Sequence, residues 1–213
     1  MKKKRLKALG VSLLLYSGLS AQTDAPFKID GNFSEWEAVP VAYANTEYKY
    51  VPAEGWQNAH TLKTQVTDTH VYFYIEGNMN FTLTSDEVFY VFFDTDKNPN
   101  TGYQHGGGAY PKVGAELAFE GSLKNPGVRT FNAAGEWGEL RTEKSRTDLF
   151  RFSEVKEIEG GKNGIEFAVD RSLFGTAQEQ VSFVFSPDFL TFRSLPEAYR
   201  NREPVKIDLA SKQ

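Results

Sequence analysis

Thr61-Leu62-Lys63-Thr64-Gln65-Val66-Thr67-Asp68-Thr69-His70-Val71-Tyr72-Phe73-Tyr74-Ile75-Glu76 decides the fold class. Two runs meet at the polar cluster Thr67-Asp68-Thr69, and in the second Val71, Phe73 and Ile75 alternate with Tyr72, Tyr74 and Glu76. Successive strand side chains point to opposite faces, so a period of two marks a strand. Two such runs about a polar turn predict an antiparallel hairpin. Downstream, Val88 to Phe93 is apolar on both parities. A strand of that kind must be covered on both faces, which predicts a central position.

The same period recurs outward from this core. Further predicted strands are Glu47–Val51, Gly114–Glu120, Val128–Asn132, Gly138–Glu143, Leu149–Val155, Gly164–Val169, Val181–Ser186 and Val205–Leu209. Breakers separate them, among them Asn98-Pro99-Asn100, Gly106-Gly107-Gly108, Asn125-Pro126-Gly127 and Ala134-Gly135-Glu136. Helical signal is confined to short turns at Asn32–Val39, Arg171–Gly175 and Ser194–Tyr199. About ten short strands at this spacing predict an all-β chain, an antiparallel β-sandwich of jelly-roll-like kind.

Residues 1–21 read as a secretory signal peptide rather than part of the domain. Lys2, Lys3, Lys4, Arg5 and Lys7 form a basic start, Ala8 to Leu19 a short apolar run, and Leu19-Ser20-Ala21 a cleavage site before Gln22. The run is too short for a membrane span, and no other stretch is a candidate transmembrane helix. The expectation is one domain over residues 22–213, exported to a periplasm or beyond the cell. Of 24 Lys and Arg, five lie in the leader, which leaves 19 against 28 Asp and Glu, a net charge of −9. Such an acidic domain is a poor ligand for nucleic acid or anionic membranes. The absence of cysteine removes disulfides, thiol nucleophiles and Cys-based zinc sites.

The apolar strand runs into Asp94-Thr95-Asp96-Lys97-Asn98-Pro99-Asn100-Thr101-Gly102-Tyr103. Asp94, Asp96, Asn98 and Asn100 place an oxygen-bearing side chain at every second position, which suits a hard cation such as Ca²⁺. Pro99 and His105 stand where an EF-hand needs Gly and Glu, so this is a different kind of loop. Glu116, on a following strand, is the residue that would reach back to it. Such an ion would stiffen the loop rather than perform chemistry.

Trp36 reads as core. Trp56 and Trp137 fall in loops rich in breakers, where exposed rings can stack on the apolar face of a pyranose. Tyr103 and Tyr110 flank the Gly106–Gly108 run and complete the candidate carbohydrate-binding set, with Glu54, Gln57, Asn58 and Glu136 as polar neighbours. No Gly-x-Ser-x-Gly, His-Glu-x-x-His or phosphate-binding loop is present, and His60, His70 and His105 are scattered. A non-enzymatic role is therefore expected.

Ile29-Asp30-Gly31…Glu35-Trp36, Val71-Tyr72-Phe73-Tyr74, Val91-Phe92-Phe93-Asp94-Thr95-Asp96…Thr101-Gly102, Gly114-Ala115-Glu116 and Gly164-Ile165-Glu166-Phe167-Ala168-Val169 with Arg171-Ser172-Leu173-Phe174-Gly175 occur in that order. The set resembles the family 9 carbohydrate-binding modules, a branch of the DOMON-like β-sandwiches, over about Ile29 to Ser186. The resemblance implies a β-sandwich, a structural calcium and a sugar site between two Trp rings. Asp94 and Asp96 match the acidic strand-end loop of that family. It leads us to expect a non-catalytic binder of polysaccharide or oligosaccharide. The alternative is a structural or adhesion module in which the loop aromatics meet a surface protein. A haem-binding DOMON-like domain, using Met79 and one of the three His, is the remaining reading.

Overall fold

The computed structural model describes residues 27–45, 58–78, 88–104, 112–122, 125, 127–140, 144–175, 179–186, 194–196 and 203–210. The expected signal peptide, the strand Glu47–Val51, and Trp56, Met79, His105 and Tyr110 lie outside these residues.

Among the described residues, twelve strands form two antiparallel sheets. The first joins β1 (Val41–Ala44), β2 (Asn58–Val66), β3 (His70–Asn78), β10 (Lys162–Asp170) and β8 (Phe150–Phe152) in that order, with β9 (Lys156–Ile158) on the other end of β10. The second has the order β12 (Val205–Asp208), β11 (Gln180–Ser186), β4 (Phe89–Asp94), β5 (Leu117–Gly121), β6 (Val128–Phe131) and β7 (Trp137–Glu139). The predicted hairpin is β2–β3, paired from Asn58↔Asn78 to Val66↔Val71. Two strands escaped the sequence reading. Val41–Ala44 is a mostly exposed edge without polar alternation, and Lys156–Ile158 is short and mostly charged.

Leu149 begins no strand. It closes a single helical turn, α1 (Arg146–Leu149), with Ser145 and Asp148 exchanging capping bonds before β8 starts. Phe33–Trp36 and Arg171–Phe174 are 3-10 turns, within the short helical turns expected at Asn32–Val39 and Arg171–Gly175, and are capped by Asn32 and Asp170. Of Ser194–Tyr199 only residues 194–196 are described, and Leu195 bridges Phe185 in an antiparallel pair instead of starting a turn.

The main core lies between the sheets. Phe73 stacks on Phe167 at 4.7 Å and on Phe183 at 5.1 Å, and Phe93 packs edge-on to Phe174 at 5.0 Å. All of these rings are buried. Burying one such side chain favours folding by about 1.5–3 kcal/mol, so the ring stack is a principal source of stability.

Both outer faces are covered in part by the protein's own chain. On the first sheet, Tyr72, Tyr74 and Ala168 are roofed by Phe27, Ile29, Phe33, Trp36 and Val39. Trp36 is 1% exposed, in accord with its reading as core. Its indole N–H donates to Glu166 Oε2 at 2.8 Å, while the N–H groups of Asp30 and Gly31 donate to Oε1 at 2.9 and 2.6 Å. Glu166 is itself fully buried. A buried carboxylate is tolerable only when so satisfied. Gly164 leaves room for this roof, since a Cβ there would lie 2.7 Å from a ring carbon of Phe33.

On the second sheet, all six residues of β4 are buried. Tyr90, Phe92, Ala118 and Val184 lie under Tyr103, Val113 and Ala115. The strand apolar on both parities is thus central, as expected, and it is the segment after the Asp94 loop that covers its outer side.

Candidate functional site

Asp94 ends β4 on the outer side, opposite Ser182 of β11 in register. The chain then turns through Thr95–Thr101 and returns along Tyr103, which pairs with Ala115 through two backbone bonds of 2.7 and 3.0 Å. Glu116 follows directly. This return brings Asp94, Asp96 and Glu116 together, with one carboxylate oxygen from each within 4.8 Å of the others.

The carboxylates are differently employed. Asp94 Oδ1 accepts from the Lys97 N–H at 2.6 Å. Asp96 accepts from the Asn98 N–H and the Thr101 hydroxyl, both at 2.8 Å. Glu116 Oε2 accepts from the Thr95 N–H at 2.8 Å, but Oε1 is buried and has no hydrogen-bond partner. Gly102 makes room for that oxygen. Its φ is +66°, and a Cβ there would lie 2.5 Å from both Glu116 Oε1 and the Ala115 carbonyl.

Burial raises the pKa of Asp94 and of Glu116. The neighbouring carboxylates push the same way, and the backbone bonds from Lys97 and Thr95 offset only part of the rise. Three hard oxygen donors, one of them orphaned, fit a divalent cation of the calcium type. Asn98 and Asn100 are in the loop but turn their carboxamide oxygens to other partners. Asn98 Oδ1 accepts from both amides of Asn100, and Asn100 Oδ1 accepts from the Lys112 ammonium.

The same return strand builds a second feature. Tyr103 stacks on Phe131 with centroids 4.8 Å apart and planes at 17°. Phe131 is the register partner of Trp137, so both project from one face of the β6–β7 ribbon. Trp137 is 65% exposed. The Arg129 guanidinium lies 5.4 Å from the Trp137 ring centre and pairs with Glu120 at 3.0 Å. The result is a row Tyr103–Phe131–Trp137 flanked by Arg129 and Glu120. It is tied to the carboxylate group by the bonds from Phe131 N–H to the Glu116 carbonyl (2.8 Å) and from Gly102 N–H to the Ala133 carbonyl (3.3 Å).

Of the four aromatic residues expected at a sugar site, Tyr103 stacks on Phe131 and Trp137 is the register partner of that same residue, while Trp56 and Tyr110 lie outside the described residues. The sequence reading missed Phe131, Arg129 and Glu120. Parity was the available signal: Arg129 and Phe131 share one face of the predicted strand Val128–Asn132, and Val128 takes the other.

A further polar group joins Lys144, Asp170 and Ser172. Burial of Asp170 is outweighed by hydrogen bonds from Lys144 and Ser172, and its pKa falls to about 2. So acidic a group is no general base, and it caps the turn that follows. No protein-family model, curated protein or solved structure matches the chain.

Proposed function

We propose that the chain is an exported, non-catalytic carbohydrate-binding β-sandwich similar to the family 9 modules, with a divalent cation, calcium in the first instance, held by Asp94, Asp96 and Glu116. The observation that carries this reading is the row Tyr103–Phe131–Trp137, whose outermost ring is largely exposed beside a guanidinium and a carboxylate. An open indole offers a stacking surface to the apolar face of a sugar ring, and Arg129 and Glu120 offer a donor and an acceptor to its hydroxyls. The cation serves this row indirectly: it neutralises carboxylates at the base of the strand that carries Tyr103. The basic and apolar leader at residues 1–21 supports export.

The test is a binding screen of the chain beginning at Gln22 against soluble and insoluble polysaccharides, with calcium and with chelator. Saturable binding should weaken about 10- to 100-fold in Trp137→Ala, the range for loss of a central aromatic anchor. A well-folded sample that binds no saccharide in either condition, or a Trp137→Ala variant that binds as the parent does, removes the reading.

A further inference from the structure

We infer that the cleft between the Asp94 loop and β12 takes an anionic sugar residue, so that the glycan recognised is an acidic polysaccharide. This rests on the carbohydrate reading and names its substrate class. The register that aligns Asp94 with Ser182 also aligns Ser182 with Lys206, so the cleft opens on the same sheet face as the aromatic row. It measures about 330 Å³. That is the lower end of small-molecule sites, ample for one pyranose and far more than a free inorganic anion requires.

Three ammonium groups line it from three parts of the chain, Lys97 from the loop, Lys112 from the return segment and Lys206 from β12; they outnumber the two carboxylates of the same lining, Asp94 and Glu203, and the Lys112 ammonium also donates to Asn100 Oδ1. The chain as a whole carries −4, so this cluster runs against the overall sign. Neither Lys97 nor Lys206 is paired with a carboxylate among the described residues. Lys97 is also the only non-glycine there with a left-handed backbone, at φ 64°, a conformation that L side chains rarely hold. The bond from its N–H to Asp94 fixes that turn. Pro99 and Pro204 supply apolar wall, and Ser182 and Gln180 supply polar groups for hydroxyls. Lysine acts as a point charge without the fork that selects one planar anion, so a uronate carboxylate and a sulfate ester satisfy the site equally well. Ser182 and Trp137 sit on strands four places apart, roughly 19 Å. Only an oligomer engages both.

The experiment is calorimetric titration of the full chain with polygalacturonate, dextran sulfate and a neutral glucan of matched length. Each is run at about 0.1 M and about 1 M salt, where the screening length falls from ~10 to ~3 Å. At least one polyanion should bind about tenfold more tightly than the glucan at low salt. That preference should vanish at high salt and in the double variant Lys97→Ala/Lys206→Ala, and return in Lys97→Arg/Lys206→Arg. Preference for polygalacturonate alone identifies a carboxylate, and equal preference identifies any anionic substituent. Glucan binding that depends on Trp137 but shows no charge preference overturns this inference and leaves the carbohydrate reading standing. A double variant that keeps the full preference overturns it as well. Failure of every polymer to bind overturns both.

Discussion

Removal of divalent cation should make the protein most stable in mild acid. Without a counter-ion, the ionised Asp94 and Glu116 face each other in a largely buried space. Two unit charges at 4.8 Å, the outer limit of the oxygen spacing, repel by about 3.5 kcal/mol at an effective dielectric constant of about 20. Asp96 is exposed and adds less. The pKa values of Asp94 and Glu116 are raised in the folded state, first by burial and then by their neighbours. The folded chain therefore binds these protons more tightly than the unfolded one. Their contribution is most favourable below the ordinary carboxylate range and is lost as pH rises through the raised values.

Chelated protein should accordingly melt at a higher temperature near pH 5 than near pH 7. Calcium should erase that trend, because it binds the ionised set. At about 100 times its Kd, a native-state ligand stabilises by about 2.7 kcal/mol. For a domain of this size that raises the melting temperature by about 5–11 °C. The assay is thermal unfolding followed by circular dichroism from pH 5 to 8, with chelator and with calcium. Asp94→Asn should abolish the calcium response and leave the metal-free protein at pH 7 no less stable, since it removes one of the repelling charges. Coincident curves with and without calcium across this range would refute the reasoning.

Three further outcomes are expected. Glu166→Ala leaves three N–H groups without their acceptor and should lower stability by about 3 kcal/mol in urea unfolding; combined with Trp36→Phe, the loss should be less than additive, because both remove one bond. Asp170, with its pKa lowered to about 2, contributes stability that is present above the unfolded value near 4 and lost as pH falls toward 2. Because Lys144 is half exposed, Asp170→Asn should cost only about 1–2 kcal/mol at pH 7, and the difference from the parent should close in acid titration. Gly102→Ala forces a Cβ against Glu116 Oε1 at a positive φ, so it should cost about 1–3 kcal/mol and blunt the calcium response in the same melting assay.

The parts of the fold legible in the sequence are those where one period governs burial. Val71, Phe73 and Ile75 reach the inter-sheet core because their parity is unbroken, and β4 is central because neither of its parities is polar. The Asp94 loop was legible because oxygen-bearing residues recur there every second position. Glu116 was harder to find. Its approach to Asp94 depends on the return through Gly102 and Tyr103, a tertiary event with no local pattern. Glu166 lies within the predicted strand Gly164–Val169, but a charged residue within such a run ordinarily faces solvent, so its burial was not legible there. The contrary hint was the small size of Gly164 and Ala168 on its own parity, which leaves space for a covering segment. Edge strands β1 and β9 escaped for the opposite reason: exposure removes the selection for apolar alternation on which the period depends.

The two acidic residues also explain why the aromatic row stands where it does. Glu166 on β10 and Glu116 before β5 each accept backbone N–H bonds from a segment crossing an outer sheet face. The first fixes Asp30–Gly31 over Tyr72 and Tyr74. The second fixes Thr95 at the head of the loop whose return covers Tyr90 and Phe92. Each sheet thus has its large outward rings shielded by local chain, and each shield is anchored on a carboxylate rather than on apolar contact alone. The shield over the second sheet ends at Tyr103, which covers Phe131. The next ring along the sheet, Trp137, lies beyond its reach. With Val41, it is one of the two large apolar side chains left exposed among the described residues. An indole left open at the end of a covered aromatic row, with an ion-paired guanidinium beside it, has a geometry that folding alone does not require, since replacing it should change stability by no more than about 0.5 kcal/mol. Binding is the property that should register its loss.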